Sequence, residues 1–102
     1  MPTYVSLLTY TDQGIRNIKD APKRLEASKK AIKDLGGSIK AYYMTQGSYD
    51  GIVIFEVPDD TALTTFLLKI GAAGNVRTTS LRAFPEEEFR KHIAALSKKN
   101  AK

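Results

Sequence analysis

The residues best suited to bind or react with a ligand stand just before the most apolar segment of the chain. Tyr49 and Asp50 lie in the glycine-bounded stretch 47–51, which leads into the apolar run 52–55. A phenol beside a carboxylate offers a ligand both a hydrogen-bond donor and an acceptor. The structural alternative is that Asp50 stabilises a hairpin turn through its own backbone while Tyr49 packs at the sheet edge. Either way, the pattern predicts a tight hairpin here.

Arg77 is the second candidate, because a guanidinium beside the hydroxyls of Thr78 and Thr79 is suited to an anion. Its alternative role is a salt bridge at a strand edge or a subunit contact. Asp50 and Arg77 begin two different strands that we predict to run in opposite directions. One strand length, roughly 20 Å, would then separate them. A site that uses both residues would need a second subunit.

Few groups suit a metal or a phosphate. The chain has no Cys and a single His, His92, for which the neighbouring apolar stripe of a predicted helix favours packing or solvent exposure. We therefore predict no metal site within one chain and no cofactor. The stretch 71–74 (GAAG) leads from a helix into a strand, whereas a phosphate loop leads from a strand into a helix.

The charge pattern argues against specific nucleic-acid binding, although the net charge is +5. Nine of the 16 basic residues either lie among acidic ones along a predicted helical stretch at 19–33 or lie at positions 98–102. The third strand offers Ile52 and Ile54 where an RNA-recognition sheet needs stacking aromatics. No apolar run is long enough for a membrane span, and the start of the chain lacks a signal-peptide pattern. We predict a cytoplasmic protein that binds no membrane.

The order of predicted elements is β-α-β-β-α-β followed by a C-terminal helix, within a single domain of 102 residues. Strands are predicted at 4–10, 38–45, 51–57 and 76–84, and a short helical turn near Ile15 and Ile18. This order predicts an α+β, ferredoxin-like fold with two helices on one face of a four-stranded antiparallel sheet. We expect the first and third strands to be central and parallel. The core is predicted at 4–84, the last helix at 85–98 and a flexible tail at 99–102.

The hairpin register determines which side chains point away from the helices. Pairing Thr45 with Gly51 places Lys40 opposite Glu56, so that opposite charges face each other. Val53, Phe55 and Val57 then face the helices. The predicted open face comprises Lys40, Tyr42, Met44, Ile52, Ile54 and Glu56, with Tyr4, Ser6, Leu8, Tyr10, Thr78, Ser80 and Arg82.

So much contiguous apolar surface predicts a partner, the simplest being a second copy of the chain. Two sheets packed face to face would enclose either a cleft for a small ligand or a dry interface, and the sequence leaves both open. The predicted ligand-binding residues are Tyr10, Tyr42, Tyr49, Asp50, Arg77 and Thr78.

Several motifs resemble the GYD-domain family, a branch of the dimeric α+β barrel superfamily. They are Tyr10-Thr11 with Gln13-Gly14, Pro22 and Arg24, Gly36-Gly37, Gly47-Ser48-Tyr49-Asp50, residues 72–78 (AAGNVRT) and Ala83-Phe84. The likeness spans nearly the whole chain. It implies a ferredoxin-like fold and homo-oligomerisation, but no particular reaction.

Three functions are compatible with these observations. The first is a homo-oligomer that binds a small organic molecule between paired sheets. The second is a cofactor-independent oxygenase- or isomerase-like enzyme that uses Tyr and Arg side chains, an analogy based on fold alone. The third is a structural or regulatory assembly protein with a dry interface.

Overall fold

The computed structural model describes residues 1–100, and the side chains of residues 1–96. Its elements are β1 (Thr3–Tyr10), α1 (Asp12–Arg16), a 3₁₀ turn (Ile18–Asp20), α2 (Ala21–Asp34), β2 (Ser38–Met44), β3 (Gly51–Glu56), α3 (Asp60–Ala72), β4 (Val76–Ala83) and α4 (Glu86–Asn100). The predicted order is confirmed. Helix α4 continues past the predicted end at 98, and the rest of the predicted tail, residues 101–102, lies outside the described part.

The four strands form one antiparallel sheet in the order β2-β3-β1-β4, the ferredoxin-like arrangement. The prediction that β1 and β3 are central is confirmed, but they are antiparallel rather than parallel. The reason is the chain path. The crossover through α2 makes β1 parallel to β2, and the hairpin then reverses the direction in β3. Since β1 is also antiparallel to β4, strands β3 and β4 run the same way.

Capping residues in the sequence mark where helices α2 and α3 begin or end. Helix α2 has a proline in its first turn and is followed by Gly36 at φ +88°, the left-handed conformation that glycine adopts most readily. At α3 the Asp59 carboxylate accepts a hydrogen bond from the Ala62 amide at 2.9 Å, which caps the first turn. Both helices present apolar stripes to the sheet.

The densest packing surrounds Phe55, whose side chain is fully buried, as are those of Ile32 and Val57. The Phe55 ring stacks on Tyr4 with centroids 5.8 Å apart and contacts Phe66 at 5.5 Å. Val53, Phe55 and Val57 therefore face the helices, and Ile52 and Ile54 face away, as the sequence predicted. This cluster connects both helices to the middle of the sheet.

The predicted β2–β3 register is wrong by one residue over most of the hairpin. At the turn Met44, rather than Thr45, lies opposite Gly51, so that Tyr42 lies opposite Val53 and Ala41 opposite Ile54. An irregularity between Ile39 and Ala41 then shifts the pairing once more towards the start of β2. Tyr42 and Met44 consequently belong to the helix side. The predicted contact between Lys40 and Glu56 still forms, at 3.6 Å, because Lys40 is the extra residue of the bulge.

The predicted faces of β1 and β4 are also wrong. Tyr4, Ser6 and Leu8 are buried under the helices. The other predicted open-face residues, Tyr10, Thr78, Ser80 and Arg82, share that side by register with β1. The Ser6 and Ser80 hydroxyls form a hydrogen bond at 2.6 Å, which satisfies the polar groups at this inward position. The open face instead carries Val5, Leu7, Ile52, Ile54 and Leu81, with Tyr43, Thr9, Arg77 and Thr79.

Helix α4 is joined to the end of β4 by a few contacts. The His92 ring meets Phe84 edge-on with centroids 5.2 Å apart, although His92 is otherwise exposed. Arg82 lies over the Phe84 ring and 3.6 Å from Glu88. Farther along, the side chains of Phe89, Ile93 and Leu96 are 56%, 48% and 55% exposed, so the apolar stripe of α4 lacks a cover within the described chain. No helix in residues 1–100 is long and apolar enough to cross a membrane.

Candidate functional site

A cavity of about 260 Å³ lies between the sheet and helices α2 and α3, on the side opposite the open face. Its walls are mainly apolar, with contributions from Leu8, Leu25, Val53, Phe66 and Ile70. Small side chains on α2, at Ala21, Ser28 and Ala31, and Ala73 directly after α3 leave the space unfilled. The cavity has the mixture of apolar wall and a few polar groups that is typical of small-molecule sites.

Arg24 provides a charged group at this cavity. Its position in the second turn of α2 directs the side chain back along the helix, where Nη1 donates to the Asn17 carbonyl oxygen at 2.9 Å. The other terminal nitrogen, Nη2, is shielded from solvent and has no hydrogen-bond partner among the described residues. A buried guanidinium nitrogen without an acceptor is costly, so an acceptor brought within its reach would be stabilised.

Two phenols line the same cavity, Tyr10 at the end of β1 and Tyr42 on β2. Burial, the Tyr10 hydroxyl and the Asp50 carboxylate together raise the pKa of Tyr42 to about 12, against the opposing effect of Arg24. At neutral pH the Tyr42 phenol therefore keeps its proton. It can donate a hydrogen bond to a ligand, but it is poorly suited to act as a base.

Asp50 positions this end of the sheet rather than lining the cavity. Its carboxylate Oδ2 accepts from the Tyr10 amide at 2.8 Å, and its own amide donates to the Leu8 carbonyl oxygen at 2.7 Å. Asp50 thus holds the hairpin against β1 with its side chain as well as its backbone. This arrangement agrees with the structural alternative for Asp50, although the bond reaches a neighbouring strand and not the turn itself.

The remaining predicted residues lie outside the cavity. Tyr49 is 39% exposed, and its carbonyl oxygen accepts from the Thr45 hydroxyl at 2.6 Å in the turn. Arg77 and Thr78 border a separate shallow depression with Thr11, Gly71, Gly74 and Val76. The structure therefore brings Tyr10 and Tyr42 together, with Asp50 beside them, and leaves Tyr49, Arg77 and Thr78 apart.

The predicted separation of Asp50 and Arg77 is wrong. Because β3 and β4 run in the same direction, both residues lie at the same end of the sheet, Asp50 beside Leu8 and Arg77 opposite Thr9. Two strand spacings, roughly 10 Å, separate their backbones. Arg77 nevertheless shares the open face with Thr9, whereas Tyr10 and Tyr42 point to the helix side, so proximity does not place them in one site.

The family model for the GYD domain matches residues 4–93, which is most of the chain. The protein belongs to the GYD-domain family. A relative from Thermus thermophilus, named "Glutamine synthetase and cystathionine beta-lyase binding protein", is 31% identical over 86 residues, 83% of this chain and 90% of the relative.

Two solved structures resemble this GYD domain in fold. A protein called FFRP-DM1 superposes with a TM-score of 0.59 at 23% identity, covering 82% of this chain and all of that one. A Thermus thermophilus protein superposes with a TM-score of 0.51, also at 23% identity, covering 83% of this chain and 95% of the other. At this level of identity the comparison supports the ferredoxin-like fold alone.

Several of the motifs that resemble the GYD family meet at the junction of β1 and β4, where they hold the two strands together. The Thr11 hydroxyl donates to the Gly74 carbonyl oxygen at 2.6 Å, and Gln13 Nε2 donates to the Ala73 carbonyl oxygen at 3.0 Å. A Cβ on Gly14 would lie 1.9 Å from the Asn75 carbonyl oxygen, so only glycine fits there. These contacts fix the ends of two strands that border the cavity.

Sequence reasoning missed Arg24, Lys69 and Asn75 as cavity residues. Arg24 enters the sequence analysis only through the family resemblance, since on a helix rich in Lys it resembles one more solvated charge. A usable signal exists in the run of small residues on the inner side of α2, because small side chains facing a sheet leave space. The one-residue error in the hairpin register placed Tyr42 on the wrong face.

Proposed function

We propose that this GYD-domain protein binds a small organic molecule in the cavity between the sheet and helices α2 and α3. The observation that carries the proposal is a cavity of about 260 Å³ with Arg24, Tyr10 and Tyr42 among its lining residues. This location replaces the cleft between paired sheets that the sequence suggested, because both tyrosines point under the helices. Tyr49, Arg77 and Thr78 have no part in this site.

The size of the cavity limits the ligand. A cavity of about 150 Å³ in a protein interior holds a benzene molecule. The larger space here suits a compact molecule of roughly ten non-hydrogen atoms on that scale. An apolar ring or a branched aliphatic chain would fit the walls.

Native mass spectrometry tests this proposal on protein purified from its own source without denaturation. We expect a small molecule to be retained by the wild-type chain and lost from Ser28→Phe, which fills the space from α2. Lys30→Phe is the matched control, because Lys30 is exposed on the same helix, and it should retain the ligand. Equal retention in both variants, or no retained molecule in any sample, would rule out this site.

Self-association through the open face is the second part of the proposal. Val5, Leu7, Ile52, Ile54 and Leu81 form an apolar surface, and the apolar stripe of α4 is exposed as well. Surfaces of this kind are usually covered in solution. The partner we propose is a second copy of the chain, which would supply its own open face and its own α4 stripe to cover these surfaces. The location we propose for the assembly is the cytoplasm.

Analytical ultracentrifugation at micromolar concentration tests the assembly. We expect a dimer or larger oligomer for the wild type and a monomer for Ile52→Glu, since a carboxylate would be buried at the interface. Leu68→Glu is the control, because Leu68 is already 68% exposed on α3, away from the open face. A wild-type protein that sediments as a single chain would contradict this part of the proposal and leave the cavity proposal intact.

A role in binding other proteins is the second candidate function. The observation that favours it is the exposed stripe of α4, together with the name of the Thermus relative, which describes that relative as a binding protein for glutamine synthetase and cystathionine beta-lyase. We propose that the α4 stripe would contact such a partner. A pull-down with purified glutamine synthetase and cystathionine beta-lyase tests this role. We expect any binding seen with the wild type to be lost in Ile93→Glu.

Catalysis without a cofactor is the weaker alternative. An oxygenase or isomerase of that kind needs a base near the substrate, and the Tyr42 phenol, with its pKa raised to about 12, holds its proton at neutral pH. Turnover of quinol-like or lactone substrates that disappears in Tyr42→Phe would favour the enzyme over the binding protein.

A further inference from the structure

The charges that line the cavity are of one sign. Arg24 and Lys69 are both lining residues, and no acidic side chain lines the cavity in the described part of the chain. The Asp50 carboxylate does not line it, and its Oδ2 is already bonded to the Tyr10 amide. A cationic or strongly basic ligand would therefore meet repulsion and no counter-charge.

Arg24 also has an unpaired hydrogen-bond donor. Nη1 is satisfied by the Asn17 carbonyl oxygen at 2.9 Å, which fixes the guanidinium, while the shielded Nη2 lacks an acceptor within the described residues. The Tyr42 phenol at the same cavity is a further donor. An unpaired guanidinium donor, with a phenol beside it in a mainly apolar wall, is complementary to a ligand that has an acceptor group at one end and an apolar body.

We propose that the ligand is a small monocarboxylic acid, aromatic or branched aliphatic, whose carboxylate is bound by Arg24 and whose apolar body fills the space between α2, α3 and the sheet. This inference rests on the proposed small-molecule function and adds its chemical class. A carboxylate fits better than a phosphate, because a dianion would need more than the one shielded guanidinium. An α-amino acid fits less well, because its ammonium would have no carboxylate in the lining to contact.

Isothermal titration calorimetry of the whole chain with phenylacetate and with its neutral isostere phenylacetamide tests the inference. In the wild type we expect phenylacetate to bind about 10- to 100-fold more tightly, as is typical of a hydrogen bond to a charged group. The pair 4-methylpentanoate and 4-methylpentanamide repeats the comparison for a branched aliphatic body. Because this comparison uses only the wild-type protein, it does not depend on any variant folding.

Arg24→Met should abolish the preference for the acid while leaving binding of the amide unchanged. Lys23→Met, an exposed neighbour on the same helix, is the matched control and should retain the preference. Acid and amide that bind equally to the wild type would overturn the carboxylate inference but support the cavity as a site. If none of the four probes binds, while native mass spectrometry shows a retained molecule, the cavity proposal stands and the proposed chemical class is wrong. If neither experiment shows a ligand, both fail.

Discussion

The two ends of the helix-covered sheet face are packed differently, although Leu8, Val53 and Phe66 contribute to both. At the packed end, Phe55, Ile32 and Val57 are fully buried against one another. At the cavity end, α2, α3 and the residue that follows α3 contribute several small or polar side chains, namely Ala21, Arg24, Ser28, Lys69 and Ala73. The same two helices therefore seal one end of the face and leave space at the other. We expect the packed end to supply most of the stability, and the proposed ligand site lies at the other end.

The largest expected effect follows from cutting a side chain at the packed end. Phe55→Ala removes a ring that contacts both Tyr4 and Phe66, and it should lower the free energy of unfolding by about 3–5 kcal/mol. Leu25→Ala at the cavity end removes a side chain that already borders empty space, so it should cost less than about 2 kcal/mol. Urea denaturation followed by circular dichroism measures both.

The comparison between these two variants needs a check on m-values, because a change in the denatured state would disguise the difference. Equal m-values for wild type, Phe55→Ala and Leu25→Ala allow the free energies to be compared directly. A loss for Leu25→Ala as large as that for Phe55→Ala would show that the two ends are packed alike, and the cavity would then no longer be a distinct region.

Adding volume should have opposite effects at the two ends. Ala62→Leu inserts a larger side chain beside the buried cluster and should destabilise the protein by about 1–3 kcal/mol. Ser28→Leu extends into the cavity and should be neutral or stabilising by about 1 kcal/mol, as cavity-filling changes often are. Thermal unfolding of both variants, with the wild type as reference, measures the signs. Destabilisation by Ser28→Leu would show that the space is not available.

The fold could be predicted because its signals are local and agree with one another. Pro22 at the start of α2, Gly36 after its end and Asp59 before α3 each define a boundary by a separate mechanism. The apolar stripes of α2 and α3 then indicate which side of each helix faces the sheet. With strand order limited by right-handed crossovers, few topologies remain.

The site could not be predicted because it depends on which side of a strand each residue faces. The β1 sequence TYVSLLTY alternates without a clear apolar side, so the sequence does not decide whether Tyr4 or Val5 points inward. In β2 the length of the hairpin connection is not fixed by its sequence, and pairing Met44 rather than Thr45 with Gly51 moves Tyr42 to the opposite face. Those two ambiguities placed Tyr10 and Tyr42 on the open face.

The direction error that separated Asp50 from Arg77 has a different origin. It comes from taking β1 and β3 as parallel, although a hairpin after one crossover makes them antiparallel. The correct topology needs no coordinates, only consistent counting of chain reversals. Side-chain direction in a bulged strand, by contrast, depends on tertiary contacts that periodicity does not encode.

The smallest effect concerns the ionisation of Tyr42 at the cavity end. Its pKa of about 12 in the folded chain lies above the usual value of 10.0, mainly because burial disfavours the phenolate. Between these two pH values the unfolded chain has lost the proton and the folded chain keeps it, so the folded state binds more protons. Stability from this residue is therefore complete below about pH 10 and is lost as the pH rises towards 12.

Urea denaturation at a series of pH values tests this effect. We expect the wild type to lose stability more steeply than Tyr42→Phe across this window. Tyr43→Phe is the control, because Tyr43 is a 60% exposed neighbour. Parallel curves for wild type and Tyr42→Phe would mean that the phenol is solvated in the folded protein, and the cavity end would then be wetter than its lining suggests.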